Sequence, residues 1–160
     1  LKLLKDKNVK FKFLIAGDGE LNQELIKLKD QFGLEEVEFL GFIDNCEQLY
    51  KKLDIFILSS IFEGSSNSLI EAMSFKNAVV ASDIKSNLEI IDEGKYGIFY
   101  KVGSAEDLCE KLFDIINNDA KLSELKEKAL EGVKINHDYN VNMKSFENQL
   151  IEIHAKINRK

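Results

Sequence analysis

Asp54-Ile-Phe-Ile-Leu58, Glu63-Gly-Ser-Ser-Asn-Ser-Leu-Ile-Glu71 and Ala78-Val-Val-Ala81 follow one another along the chain. The first is a short apolar run and reads as a buried strand. The second is a turn of small polar residues between two carboxylates, and it leads into an amphipathic segment, Leu69 to Phe75. The third is another apolar run. The order is strand, polar turn, helix, strand, which is a βαβ unit. Ser65, Ser66, Asn67 and Ser68 are all good N-caps, so the helix starts among them. A helix N-terminus presents unpaired N–H groups and the positive end of a dipole, which suits a phosphate. Glu63 stands before the helix and Glu71 in its first turn. Both are expected to face one pocket at the carboxyl edge of the strand, where they can accept hydrogen bonds from sugar or ribose hydroxyls. Ser68-Leu-Ile-Glu71 also fits a capping box, in which Glu71 only returns to the cap N–H.

The same alternation extends outward. Phe11 to Ala16 reads as a strand, followed by the turn Gly17-Asp-Gly19 and an amphipathic helix from Glu20 to Phe32 with Leu21, Leu25, Ile26 and Leu28 at helical spacing. Gly33 ends that helix. Val37 to Leu40 is a second strand, closed by Gly41, and Asp44 is the expected cap of a helix through Lys52. After the turn helix, Asn77 is placed to take a left-handed cap. Val79 to Ser82 is the fourth strand, Asn87 to Ile91 a short helix, and Gly97 to Tyr100 the fifth strand. The remainder is helical: Ala105 to Asn117, started by Ser104, then Lys121 to Ile135, then Val141 to about Ile157. Strands alternating with helices predict a Rossmann-like, doubly wound parallel sheet with C-terminal helices. Gly17, Gly41, Ser59 to Glu63 and Ser82 to Ser86 all follow strands, so they are expected along one sheet edge, where such folds bind small ligands.

Composition narrows the function classes. A chain of 160 residues is one domain by length. The net charge of −6 and a pI near 5.1 argue against a nucleic-acid surface. The only arginine is Arg159, so any phosphate clamp must use lysine, hydroxyls and backbone amides. Cys46 and Cys109 lack metal-like spacing, and two lone cysteines fit a reducing compartment. His137 and His154 form no metal pattern. No apolar run is long enough to span a membrane.

The run Phe56-Ile-Leu-Ser-Ser-Ile-Phe-Glu63-Gly-Ser-Ser-Asn-Ser-Leu-Ile-Glu71-Ala-Met, continued by Val79-Val-Ala-Ser-Asp83, resembles the donor-site signature of retaining GT-B glycosyltransferases of family 4. Phe13-Leu-Ile-Ala-Gly-Asp-Gly-Glu20, Val37-Glu-Phe-Leu-Gly41, Glu89-Ile-Ile and Gly94-Lys-Tyr-Gly97 match the same pattern in order. The resemblance implies the C-terminal, donor-binding half of a GT-B fold that moves a hexose-type sugar to a glycan or lipid-linked acceptor. By that resemblance Glu71 binds the ribose and Glu63 contacts the transferred hexose in the catalytic position. Ser65, Ser66, Asn67 and Ser68 offer amides to the diphosphate, Gly41 and Phe42 lie near the base, and Gly17 and Gly19 line the cleft. It also implies a nucleotide-diphosphate sugar of UDP or GDP type, with no cofactor and no metal.

The chain departs from the pattern in two ways. Leu1-Lys-Leu-Leu-Lys-Asp-Lys reads as the tail of a helix, so residues 1–160 are expected to be a fragment lacking the first strand, the family's upstream Arg and Lys, and the acceptor-binding half. The apolar positions Phe146, Leu150, Ile151 and Ile153 of the last helix are expected to pack on that half. Alone, the fragment is expected to be inactive. In its motifs, Ser65-Ser66 replaces the family's aromatic-Pro pair, and Lys76-Asn77-Ala78 its Gly-x-Pro before the fourth strand. The resemblance implies a cytoplasmic protein, with any membrane-surface association residing in the missing half. Two other readings stay open: a non-catalytic module that binds a nucleotide or sugar phosphate, and a scaffold in which Glu71 is only a capping residue.

Overall fold

The computed structural model describes residues 1–137. The elements are α1 (Lys2–Asp6), β1 (Phe13–Ala16), α2 (Asn22–Gln31), β2 (Val37–Gly41), α3 (Glu47–Tyr50), β3 (Ile55–Leu58), α4 (Asn67–Ser74), β4 (Ala78–Ser82), α5 (Lys85–Ile90), β5 (Ile98–Tyr100), α6 (Ala105–Ile116) and α7 (Asp119–Gly132). One turn of π-helix, Val133–His137, follows α7. The helix expected from Val141 to Ile157, with its proposed packing, lies outside the described residues.

Each apolar run expected as a strand is one, and all pairings are parallel. The centre is β4, whose five residues are all buried. Its β-branched and small residues serve both faces, as a strand covered on two sides requires. Val79 and Ala81 pack with Leu69, Ala72 and Met73 of α4 and Ala129 of α7. Ala78 and Val80 pack with Leu4 of α1 and with Cys109, Leu112 and Ile115 of α6. Helices therefore cover the sheet on both faces, the Rossmann-like α/β arrangement.

One continuous sheet was expected, and the described strands instead form two: β1-β2 and β3-β4-β5. β1 and β3 do not pair. Between them lies a cleft of about 420 Å³, lined by Phe13 and Leu14 of β1, Ile55 and Ile57 of β3, Leu4 and Leu112. The division also leaves α2 thinly covered. None of its residues is buried, and Leu21, Leu25 and Leu28 are 65%, 42% and 37% exposed. The apolar stripe is there, but none of its residues joins the buried clusters of the described residues.

Local signals held in some places and failed in others. The Ser104 hydroxyl accepts from the Asp107 N–H at 3.1 Å, capping α6 as expected. At α3 the cap is not Asp44, because the Asn45 side chain accepts from the Glu47 N–H at 2.9 Å. Asn77 does not take the left-handed position after α4, which falls to Lys76 at φ 62°. Asn77 is instead buried, its Nδ2 donating to the carbonyls of Tyr50 and Leu53 at 2.9 and 3.2 Å. It ties the α3–β3 connection to the α4–β4 connection.

Candidate functional site

The helix α4 starts inside the Ser65–Ser68 run, with Ser66 in the N-cap position. Its side chain does not cap. The Ser66 hydroxyl is buried and donates instead to Asn87 Oδ1 at 2.6 Å. The first amides of α4, on Asn67 and Ser68, therefore keep the open N-terminal geometry that a side-chain cap would close. Ser65 is exposed, and its hydroxyl donates to Asn67 Oδ1 at 3.0 Å.

Glu63 is half-buried before this helix, and the Ser60 hydroxyl donates to its Oε1 at 2.7 Å. It lines a cleft of about 330 Å³ with Ile61, Phe62, Ile84, Lys85 and Glu89. Ile61 and Phe62 are 80% and 84% exposed, so the cleft has an apolar lip. Lys85 supplies its cation, with Nζ 3.7 Å from Glu89 Oε1.

Glu71 does not line that cleft, so the expectation that both carboxylates face one pocket is corrected. It lies on the α3 side of α4, where the Tyr50 hydroxyl donates to its Oε2 at 3.1 Å. This also settles the capping-box alternative. Ser68 lies within the helix, not at its cap, and the Glu71 carboxylate is engaged by Tyr50. The physical reason is that α4 is capped at Ser66, two residues earlier than a Ser68 cap, so Glu71 is the fifth helical residue and lies beyond the first turn. Burial pushes the Tyr50 phenol well above the usual tyrosine range, reinforced by the hydrogen bond to Glu71 and its negative charge.

The glycines form a second group on the other sheet. The Gly17 N–H donates to the Gly41 carbonyl at 2.8 Å, joining the turns after β1 and β2. Gly17 and Gly41 have φ of 124° and 66°, which side-chain-bearing residues rarely adopt. The space beside Gly17, Gly19 and Gly41 is open to 4 Å. Phe42 stands next to them, 75% exposed. Asp18 fixes the first turn, accepting from the Gly19 N–H at 2.9 Å and from Asn22 Nδ2 at 3.2 Å.

Reading the sequence did not single out Tyr50, Ser60, Lys85 or Asn87. Tyr50 carries a findable signal, as an aromatic residue on the inner side of a short helix just before a strand. Asn87 acts through contacts distant in sequence and carries none, and Ser60, three positions before Glu63, lies in a serine run with nothing to mark it from Ser59.

Fold and site together define an α/β Rossmann-like domain of the GT-B kind, with open loops at the carboxyl ends of parallel strands. The chain belongs to the family of glycosyl transferases group 1, whose model matches residues 1–132. It is 34% identical over 120 residues to the N-acetylgalactosamine-N,N'-diacetylbacillosaminyl-diphospho-undecaprenol 4-alpha-N-acetylgalactosaminyltransferase of Campylobacter jejuni, covering 74% of this chain and 33% of that protein. It is 30% identical over 134 residues to the poly(ribitol-phosphate) alpha-N-acetylglucosaminyltransferase of Staphylococcus aureus, covering 82% of this chain and 27% of that one. The chain thus spans about a third of the length of these relatives. Among solved structures, it superposes with a TM-score of 0.81 on S. aureus TarM in complex with Fondaparinux, alpha-GlcNAc-glycerol and UDP. That match is 27% identical and covers 92% of this chain and 30% of TarM. Anabaena HepE in complex with UDP shares the fold at a TM-score of 0.78 and 22% identity, covering 92% of this chain and 44% of HepE. Among the described residues no helix is long and apolar enough to cross a membrane.

Proposed function

We propose that this chain is the C-terminal, donor-binding part of a retaining family 4 glycosyltransferase, which transfers a hexose-type sugar from a UDP or GDP donor to a glycan or lipid-linked acceptor. The observation that carries this reading is the open N-terminus of α4, set between a carboxylate anchored by Ser60 and one anchored by Tyr50. In this reading the amides of Ser65 to Ser68 receive the diphosphate, and the helix dipole stabilises the charge that builds on it as the sugar departs. Glu71 takes the ribose hydroxyls. Glu63 contacts the transferred sugar from its cleft and acts by position and charge at the reacting centre. Gly41 and Phe42 flank the base, and Gly17 and Gly19 form the wall. The TarM and HepE structures that hold UDP support a nucleotide as the ligand. The donor itself is the only small molecule required, and the mechanism uses no metal ion.

The domain assignment, a single nucleotide-sugar-binding domain over residues 1–160 within a longer enzyme, draws support from the apolar cleft between β1 and β3. β1 and β3 belong to separate sheets on either side of a largely apolar cleft, which is where a further strand joining them would lie. The acceptor-binding half and this strand would come from elsewhere in the same enzyme, and 1–160 alone would transfer nothing. We place the enzyme in the cytoplasm, with contact to a membrane surface left to the acceptor half.

The test is an NMR titration of this chain with UDP, GDP and ADP, repeated on Glu71→Ala. Saturable shifts with one nucleotide, clustered at Gly41 and Ser65 to Glu71 and lost in the variant, are the expected result. Saturable binding that Glu71→Ala leaves intact would remove Glu71 from the site.

A further inference from the structure

Asn87 is the third residue of α5, fully buried, and no part of the proposed donor contacts. Its carboxamide is nonetheless the junction of three segments. Oδ1 accepts from the Ser66 hydroxyl at 2.6 Å, at the start of α4. Nδ2 donates to the Ser82 carbonyl at 3.0 Å and to Ser82 Oγ at 3.1 Å, at the end of β4. The Ser82 hydroxyl donates onward to the Ser60 carbonyl at 2.5 Å, and the Ser60 hydroxyl to Glu63 Oε1 at 2.7 Å. Ser66, Ser82 and Asn87 are all at most 1% exposed. A buried polar network of this kind persists when its members satisfy one another, and it then fixes one geometry.

The consequence at Ser66 is specific. A serine in the N-cap position ordinarily turns its oxygen onto an amide of the first turn. Here that hydroxyl is held away by Asn87, and the same carboxamide steers the Ser82–Ser60–Glu63 chain. We propose that Asn87 is a positioning residue for the donor site: it withholds the Ser66 hydroxyl from the α4 amides and sets the Glu63 loop. This rests on the donor-site reading above.

The role predicts an interaction that a merely space-filling asparagine lacks. In Asn87→Leu, which keeps the branched outline and the number of heavy atoms but not the polar groups, the Ser66 hydroxyl is released onto the Ser68 amide. Nucleotide affinity, read with UDP, GDP and ADP, is then expected to fall about tenfold, since the phosphate must displace a cap. In Asn87→Leu/Ser66→Ala there is no hydroxyl to swing back, and affinity is expected to return to within about threefold of Ser66→Ala alone. Asn87→Asp still accepts from Ser66 and is expected to keep the α4 amides open.

A second readout needs no nucleotide. Hydrogen exchange at the Ser68 amide is expected to slow in Asn87→Leu, to recover in the double variant, and to match wild type in Asn87→Asp. If no nucleotide binds the wild-type chain, the donor-site reading fails while the exchange series still tests Asn87. Unchanged exchange and affinity in Asn87→Leu, or a loss that Ser66→Ala does not reverse, would overturn the proposal. Should Asn87→Leu not fold, Asn87→Ala takes its place: slowed exchange at the Ser68 amide that Ser66→Ala reverses supports the proposal, and unchanged exchange refutes it.

Discussion

Tyr50 and Glu71 lie 21 positions apart in sequence, and the Tyr50 hydroxyl donates to Glu71 Oε2 at 3.1 Å. The ring is buried between Phe56, edge-on at a centroid distance of 5.8 Å, and Phe75, stacked at 5.8 Å. The donor is thus held by packing, while the carboxylate it orients is exposed to solvent. Tyr50→Phe keeps the packing and removes only the donor. It is expected to cost about 1 kcal/mol of stability in urea denaturation. Nucleotide affinity should fall less than in Glu71→Ala, which leaves the Tyr50 hydroxyl without its acceptor and should cost at least as much stability as Tyr50→Phe. A larger affinity loss in Tyr50→Phe than in Glu71→Ala would contradict the assignment.

The same tyrosine links the stability of the fold to alkaline pH. Burial raises the Tyr50 phenol above its ordinary value of 10.0, and burial with the nearby Asp83 charge raises Tyr100 too. A raised folded-state value means that the unfolded chain gives up its proton first. The stabilisation is complete below about pH 10 and is lost as pH climbs above it. Denaturation midpoints measured across that range should fall, and the slope should be shallower in Tyr50→Phe. Equal slopes would mean that Tyr50 titrates normally.

Gly132→Ala should invert a familiar sign. In a helix, alanine normally stabilises by about 1 kcal/mol relative to glycine. At Gly132, near the end of α7, an added Cβ would fall 2.5 Å from Tyr96 Cγ and 2.7 Å from Tyr96 Cβ. Tyr96 is 1% exposed and has no room to retreat. We expect a net loss of about 1–3 kcal/mol, read as a lower Tm.

Two serines at helix starts should respond differently. Ser104→Ala removes the acceptor of the Asp107 N–H and should cost about 1 kcal/mol through α6. Ser66→Ala removes no cap, and its cost arises where Asn87 Oδ1 loses its donor. Amide exchange separates them, because the first turn of α6 should loosen in Ser104→Ala while that of α4 should not in Ser66→Ala.

Much of this fold was readable because its signals are local. Short apolar runs such as Ala78-Val-Val-Ala81 end at turn residues, and Ser104 stands one residue before a helical stripe. The candidate site was half readable for the same reason: the Glu63-to-Glu71 turn is contiguous, and its cap lies among the serines expected to hold it. What escaped depends on partners far away in sequence. Asn77 looked like a left-handed cap but is drawn inward by the Tyr50 and Leu53 carbonyls. Leu25 and Leu28 looked like core, yet α2 contributes no residue to either buried cluster of the described residues. The separation of Glu71 from the Glu63 cleft follows from where α4 starts and from the distant Tyr50 hydroxyl that engages the Glu71 carboxylate.

The cleft between β1 and β3 divides the molecule in time as well as in space. β1, α2 and β2 hold one another through a single strand pairing and lean on no buried α2 residue. β4 is sealed by strands on both edges and helices on both faces. Cooperative units with little buried contact open at the lowest free energy. The glycine turns at Gly17 and Gly41 therefore ride on the part of the protein that breathes first, while the Glu63-to-Glu71 turn is anchored to the part that opens last.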